Sequence, residues 1–483
     1  MLTLGDVFTG LTGQTFELAR QQPINQVIID SRQATPGSLF VALPGTRLDG
    51  HDYVQAAFSA GAVAAIISRD VAFSGLIIQA DAPGDQAQLA QNWQLPLCIR
   101  VADSLQGLQK LAAHWRTKFS PIVIGITGSI GKSSTKELTH LVLAQKYRTL
   151  KNKGNLNNEI GLPLTILELD PTHERVVLEM GMYDIGEIAT LCQIARPHVG
   201  LVTNIGPSHL ERLGTIERIA LAKRELLEAL DEDGIAILNV DNPLVVAMRP
   251  HTRANIFTYG LSEQADLWAD QITSEGLRGI RFVFHHQGEH LHVKVPLLGR
   301  HSVHTTLAAT AIGLTQGLHW EEIVAGLQDP RAQLRLAAVP GPNKSLILDD
   351  TYNASATSSI AALNLLHELA ASRKIAVLGD MAELGSYEEE GHRKVGRRAA
   401  EVVNLLITIG PKARLIAEEA ISCGLPKEVV LRMDDKQTTL KYLAEIAKEG
   451  DTILIKGSRA LAMETIVNQL SAASAATMEN FKS

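Results

Sequence analysis
The chain has 483 residues, 45% of them hydrophobic and 20% charged, a globular composition long enough for about three domains. Lys and Arg number 45 against 52 Asp and Glu, and the net charge of -7 argues against nucleic acid as a partner. No run reaches the roughly 18 apolar residues of a membrane helix, MLTLGDVFTG lacks the basic start of a signal peptide, and Cys98, Cys192 and Cys423 form no CxxC pair; a cytoplasmic chain without stable membrane insertion or disulfides is therefore expected.

Residues 1 to about 102 alternate short β-like runs (QVIID, SLFVAL, AVAAIIS, GLIIQA) with turns and one helix near 53–61. A helix over 104–118 follows, with Leu105, Leu108, Leu111 and Ala112 at helical spacing. Strands and helices then alternate: PIVIGIT, a helix over 132–145, RVVLEM, HVGLVTNI, a helix over 216–230 and GIAILNV. This βαβ series predicts a mostly parallel sheet with helices on both faces. Between about 268 and 297 the alternation in GIRFVFHH and EHLHVKV predicts an antiparallel edge ribbon, and 301–317 reads as a helix. After Asp329-Pro330 a second βα series carries the strands SLILDD, KIAVLGD, NLLITIG, EVVLRM and TILIKGS; SAASAATMENFKS reads as a frayed tail.

Ile122 to Thr135 reads IVIGITGSIGKSST: a β-run, a glycine-containing loop, a lysine, hydroxyls and then a helix. Backbone N–H groups of such a loop, together with the helix N-terminus, bind phosphate oxygens. Thr127, Gly128, Ser129, Ile130, Gly131, Lys132, Ser133 and Ser134 are the candidate phosphate contacts, with Lys132 on the β- and γ-phosphates and Ser133 on Mg²⁺. The spacing departs from GxxxxGK[ST], since Ile126 stands where the first glycine is required. Glu179 closes the strand RVVLEM and His209 follows the next strand, both at the sheet edge where open α/β folds bind ligands. Lys223 alone reads as a solvated helix charge, and the ribbon His285, His286, His290, His292 as a solvated edge rather than a metal site.

TGSIGKSS, NLNNEIGLPLTIL, LEMGMYDIGEI and TNIGPSHLERLGTIERIALAK together resemble the ATP-binding domain of the Mur ligases. The resemblance extends to DSRQATPGSLFVALPGTRLDGHDY before them and to LDDTYNASATS, VLGDMAELGSYEEEGHRKVG and KGSRALAMETIV after them. It implies three α/β domains: a small UDP-sugar-binding domain over 1–102, a central P-loop, mostly parallel sheet domain for ATP and Mg²⁺ over 103–329, and a Rossmann-like ligase domain over 330–483 that binds the dipeptide and closes. It further implies an ATP-dependent amide ligase of peptidoglycan synthesis, acting through an acyl phosphate, with two Mg²⁺ sites. The substrates would be UDP-N-acetylmuramoyl-tripeptide and D-alanyl-D-alanine, and a monomer is expected. The DTYNA and GDMAELG signatures favour the dipeptide over a sister reaction that adds one amino acid, while a non-catalytic nucleotide-sugar sensor is the reading from another class.

Site roles follow from the same resemblance. Lys132, His209 and Lys223 match catalytic positions. Glu179 and His209 match ligands of the second metal, with Lys223 at the position of a carbamylated lysine. Ser31, Arg32, Asp49, Gly50, His51, Asn157 and Asn158 match UDP-substrate positions; Arg335 and Asp350 match the ATP site; Tyr352, Asn353, Lys456, Ser458 and Arg459 match dipeptide and closure motifs. For Ser458 an N-cap role is the competing reading. The family's HNxxN helix start departs here, with Ser302 and Thr305 in place of the two Asn. A hydroxyl cannot make the two-sided amide contact to an adenine edge. Nucleotide preference is therefore expected to be relaxed, with GTP supporting ligation at a rate comparable to ATP; a large loss with every triphosphate but ATP would overturn this.

Overall fold
A computed structural model describes residues 1–82, 93–208, 210–332 and 336–480. Three sheets follow one another along the chain. The first holds β1 (Gln26–Ile28), β2 (Ser38–Val41), β3 (Ala64–Ile67), β4 (Ile77–Gln79) and β5 (Leu97–Arg100) in the order β1-β2-β3-β5-β4, all parallel. Both of its faces are covered: Leu39, Ala64, Ile66 and Ile99 are buried on one, and Phe40, Ala65, Ile67 and Cys98 on the other. Two elements here escape the sequence reading. One is β5, and the other is a helix, Leu4–Thr12, begun by a capping box in which Thr3 and Asp6 satisfy each other's backbone N–H groups.

The second sheet has nine strands: β6 (Ile122–Thr127), β7 (Thr149–Lys151), β8 (Arg175–Glu179), β9 (Val199–Val202), β10 (Ile235–Asn239), β11 (Asn255–Gly260), β12 (Leu267–Ser274), β13 (Ile280–His286) and β14 (Glu289–Val295). Their order is β14-β13-β12-β11-β10-β9-β6-β8-β7. Pairing is parallel from β7 across to β12, and β12, β13 and β14 are antiparallel, so the expected edge ribbon is present and extends one strand further. A bulge between Asp270 and Thr273 bends β12. The buried strand β6 has β8 on one side and β9 on the other. The chain therefore reverses direction across the sheet at β6, and a crevice opens beyond the carboxyl ends of β8, β6 and β9.

The third sheet holds β15 (Ala337–Pro340), β16 (Leu346–Asp350), β17 (Arg373–Gly379), β18 (Leu405–Ile409), β19 (Val430–Met433) and β20 (Asp451–Lys456), in the order β15-β16-β20-β17-β18-β19. All neighbours are parallel except β15, an unexpected antiparallel edge strand. Of the stretch read as a frayed tail, residues 471–480 are helical, within a helix Glu464–Asn480, and 481–483 lie outside the described residues. Among the described residues no helix is long and apolar enough to cross a membrane.

The second and third bodies meet where Glu211 N–H donates to the Glu383 carbonyl at 3.3 Å. Beside it Gly385, at φ +52°, seats directly on the chain: a Cβ there would lie 2.8 to 2.9 Å from backbone atoms of Leu210 and Glu211. Gly385→Val is expected to unseat the third body while leaving each sheet folded. Small-angle scattering should show an expanded particle; an unchanged profile would refute the seat.

Candidate active site
The phosphate loop leaves β6 at Thr127, whose hydroxyl donates to the Met180 carbonyl at 2.9 Å. Gly128 has φ +146°, and a Cβ there would lie 1.9 Å from Thr203 Oγ1, so only glycine fits. Gly131, at φ +85°, precedes the helix Lys132–Leu143. The segment after β9 stitches the loop in place. Asn204 accepts from Ser129 N–H (2.9 Å) through its carbonyl and from Ile130 N–H (3.0 Å) through Oδ1, while Thr203 Oγ1 donates to the Ile130 carbonyl (2.7 Å). Lys132 Nζ donates to the Gly128 and Ser129 carbonyls at 2.7 and 3.2 Å, which holds its charge at the loop's mouth, and Ser134 lines the same cavity.

Glu179 is buried at the end of β8. It accepts from Ser133 Oγ on Oε2 at 2.5 Å and from Asn157 Nδ2 on Oε1 at 2.7 Å. Lys223, from the helix Ile216–Glu228, is 1% exposed and faces the same cavity. Burial, and then the charge of Lys132, holds its pKa well below the ordinary lysine value, so this is no solvated helix charge. His209 lies outside the described residues; Ser208, before it in the chain, lines the cavity. Mg²⁺ takes few protein oxygens and keeps waters and substrate phosphates. The Ser133 hydroxyl and Glu179 carboxylate, side by side on an open cavity, suit it. The Lys223 amine would suit it only as a carbamate oxygen. Among the described residues no group of three His, Cys, Asp or Glu gathers as a metal cluster.

The cavity measures about 1040 Å³ and lies between the second and third bodies. The third body contributes Asp350, Tyr352, Asn353, Lys456, Ser458 and Arg459 from strand ends and their loops. The Lys456 ammonium is buried and donates to Asp350 Oδ2 at 2.6 Å and to the Asn353 carbonyl at 2.9 Å. Arg459 lies over the Tyr352 ring, 5.5 Å from its centroid. Ser458 makes no N-cap bond; its hydroxyl instead donates to the Asp380 carbonyl and accepts from Ala382 N–H. Arg335 lies outside the described residues. On the helix Ser302–Thr315, Ser302 Oγ donates back to the Leu298 carbonyl at 2.7 Å, Thr305 faces the cavity, and His304 Nε2 meets Asp241 Oδ2 at 2.8 Å.

The remaining predicted residues divide. Asn157 and Asn158 line the cavity, and Asn158 Oδ1 also accepts from Gly161 N–H at 2.9 Å, fastening the start of the helix Gly161–Ile166. Ser31, Arg32, Asp49, Gly50 and His51 sit in the first body, away from the cavity wall. Arg32 is exposed and forked onto Asp30. Buried His51 uses both ring nitrogens internally: Nδ1–H donates to Asp49 at 2.6 Å, and Nε2 accepts from Ser68 N–H at 2.8 Å. The His51 N–H, first among several donors, pulls the Asp49 pKa down to about 2. Gly50 lets the chain pass Leu43, where a Cβ would lie 2.8 Å from its nitrogen. Sequence reasoning missed Asn204 and Asn152; the polar residue directly after the strand HVGLVT was the available signal for Asn204.

A phosphate loop at the switch point of a parallel sheet, a strand-end carboxylate beside it and a second α/β body across the cleft define a three-domain nucleotide-dependent enzyme. Residues 23–116 match the Mur ligase family catalytic domain, 126–313 the Mur ligase middle domain and 334–459 the Mur ligase glutamate ligase domain. The chain belongs to the Mur ligase family. It is 37% identical over 454 residues to the UDP-N-acetylmuramoyl-tripeptide--D-alanyl-D-alanine ligase of Bacillus subtilis (strain 168), covering 93% of this chain and 94% of that protein. Its structure is similar to a crystal structure of MurF from Acinetobacter baumannii, with TM-score 0.83 and 29% identity over 98% of this chain and 99% of that one. It is also similar to the MurF ligase of Thermotoga maritima in complex with ADP, with TM-score 0.77 and 30% identity over 93% and 98% of the two chains. Gly128→Ala is expected to cost about 1–3 kcal/mol of stability from backbone strain and to weaken ADP binding; calorimetry showing ADP affinity unchanged would contradict the fit.

Proposed function
We propose that the chain is an ATP-dependent ligase that joins D-alanyl-D-alanine to UDP-N-acetylmuramoyl-tripeptide. The observation that carries this reading is the shared cavity in which the phosphate loop and Glu179 face the Asp350–Lys456 pair, in a chain similar over 93% of its length to a ligase of that name. The first body, over 1–102, would hold the UDP-sugar end through Ser31, Arg32 and the loop shaped by Asp49, Gly50 and His51. The second, over 103–329, would hold ATP, and the third, over 330–483, the dipeptide. The reaction must bring together two anions, the tripeptide carboxylate and the γ-phosphate, which the chain's negative net charge does nothing to attract. Lys132 and the N–H groups of the 127–134 loop would screen and orient the transferring phosphoryl group. The carboxylate oxygen bonds to the γ-phosphorus as ADP leaves. The dipeptide amine then attacks the carbonyl carbon, the carbon–oxygen bond to phosphate breaks, and the amine loses a proton.

Mg²⁺, when bound, would neutralise charge on the phosphates. Ser133 would hold one ion, and Glu179, His209 and Lys223 as a carbamate the second. Lys223 supports this role, because a neutral buried amine is the form that adds CO₂. Asp350, Tyr352, Asn353, Lys456, Ser458 and Arg459 would meet the dipeptide and nucleotide on closure, with Arg335 entering the ATP site. A cytoplasmic monomer is in keeping with soluble substrates. Phosphate release with both substrates tests the reading. Lys132→Ala is expected to lower it by about a hundredfold or more, as for loss of one preorganised transition-state donor. Equal turnover with single amino acids in place of the dipeptide would overturn it.

A further inference from the structure
Two buried groups below the phosphate loop are not accounted for by substrate contact. Lys136 follows Ser133 by one helical turn, is 1% exposed and is not among the residues that line the cavity. Its ammonium donates to the Asn152 carbonyl at 2.8 Å and the Gly154 carbonyl at 3.2 Å, and forms an ion pair with Glu137 Oε1 at 3.1 Å. An ammonium so buried is tolerated only when fully paired, and full pairing holds its partners rigidly. Asn152, also 1% exposed, is what it holds.

Asn152 lies just past the last residue of β7. The ladder with β8 ends at Lys151 and Val177. From there the Asn152 side-chain amide replaces a strand: Oδ1 accepts from Glu179 N–H at 3.0 Å, and Nδ2 donates to the Glu179 carbonyl at 2.9 Å and the Leu156 carbonyl at 2.8 Å. Both backbone polar groups of Glu179 are thereby clamped by one side chain. The Glu179 carboxylate in turn receives Ser133, one turn before Lys136 on the same helix. The bonds close a circuit from helix to loop to strand end and back to the helix.

We infer that Lys136 and Asn152 are positioning residues that set the Glu179 carboxylate against Ser133, and so set the affinity of the Mg²⁺–nucleotide pair. The inference rests on the proposed role of Glu179 as a metal ligand. Neither residue lines the cavity; Asn152 acts on the backbone of Glu179, and Lys136 acts through Asn152.

The test is calorimetric binding of ADP with and without Mg²⁺ to the full chain and to Lys136→Met, Lys136→Arg, Asn152→Ala and Glu179→Gln. In Lys136→Met and Asn152→Ala the gain in ADP affinity on adding Mg²⁺ should fall by about 10–100-fold, the usual effect of losing a group that orients a metal's ligand. Mg²⁺-free ADP binding should stay near wild type, and Lys136→Arg should restore part of the gain. A role limited to folding would instead lower the melting temperature and weaken both affinities together, which would overturn the inference. So would an intact Mg²⁺ gain in both variants when Glu179→Gln abolishes it. If Glu179→Gln keeps the gain, the metal role of Glu179 itself fails and the inference falls with it. Asn152→Ala removes only a neutral amide, so the test stands even if Lys136→Met does not fold.

Discussion
The chain's reversal at β6 is the constraint on which the site depends. Crossovers between parallel strands are right-handed, so a chain that builds outward first to one side of a central strand and then to the other must leave a gap at their carboxyl ends. Into that gap the sequence places three short polar segments from separate parts of the chain: the loop 127–134, Glu179 and the Thr203–Asn204 pair. None could form a phosphate site alone. The loop owes its shape to bonds from Asn204 and Thr203, and Glu179 owes its position to Asn152.

Three lysines are almost wholly buried near this gap, and each is handled differently. Lys456 is neutralised by Asp350, and Lys136 by two carbonyls and Glu137. For Lys223 the dominant influences are burial and the positive charge of Lys132, both of which favour the uncharged amine. The same residue type thus supplies a bridge between strand ends, a structural anchor and an amine biased toward its uncharged form, according to what surrounds it.

Much of the fold was legible because buried parallel strands are short apolar runs between turns, as in PIVIGIT and KIAVLGD. The strands β5, β7, β11 and β15 were missed, and so was the Leu4–Thr12 helix, whose segment was weighed only as a leader; shortness is not the reason, since the three-residue β1 and β4 were read. The phosphate loop was legible because its chemistry is local. The supports of Glu179 were not, because Lys136 and Asn152 act on backbone groups 16 and 27 residues away, through contacts that only the folded chain creates. His51 makes the same point in reverse: it reads as a ligand contact, yet both of its ring nitrogens serve the fold.

The rims of the three open sheets carry a final consequence. Among the described residues β1, β4, β7, β15 and β19 are rim strands of three or four residues, and β15 ends in Pro340. The sixth, β14, has seven, and sets Glu289, His290, His292 and Lys294 outward. Short or charged rims are poor templates for another backbone to pair with. A molecule that must expose its cleft to admit a long, polar substrate can therefore do so without offering neighbouring copies a strand on which to aggregate.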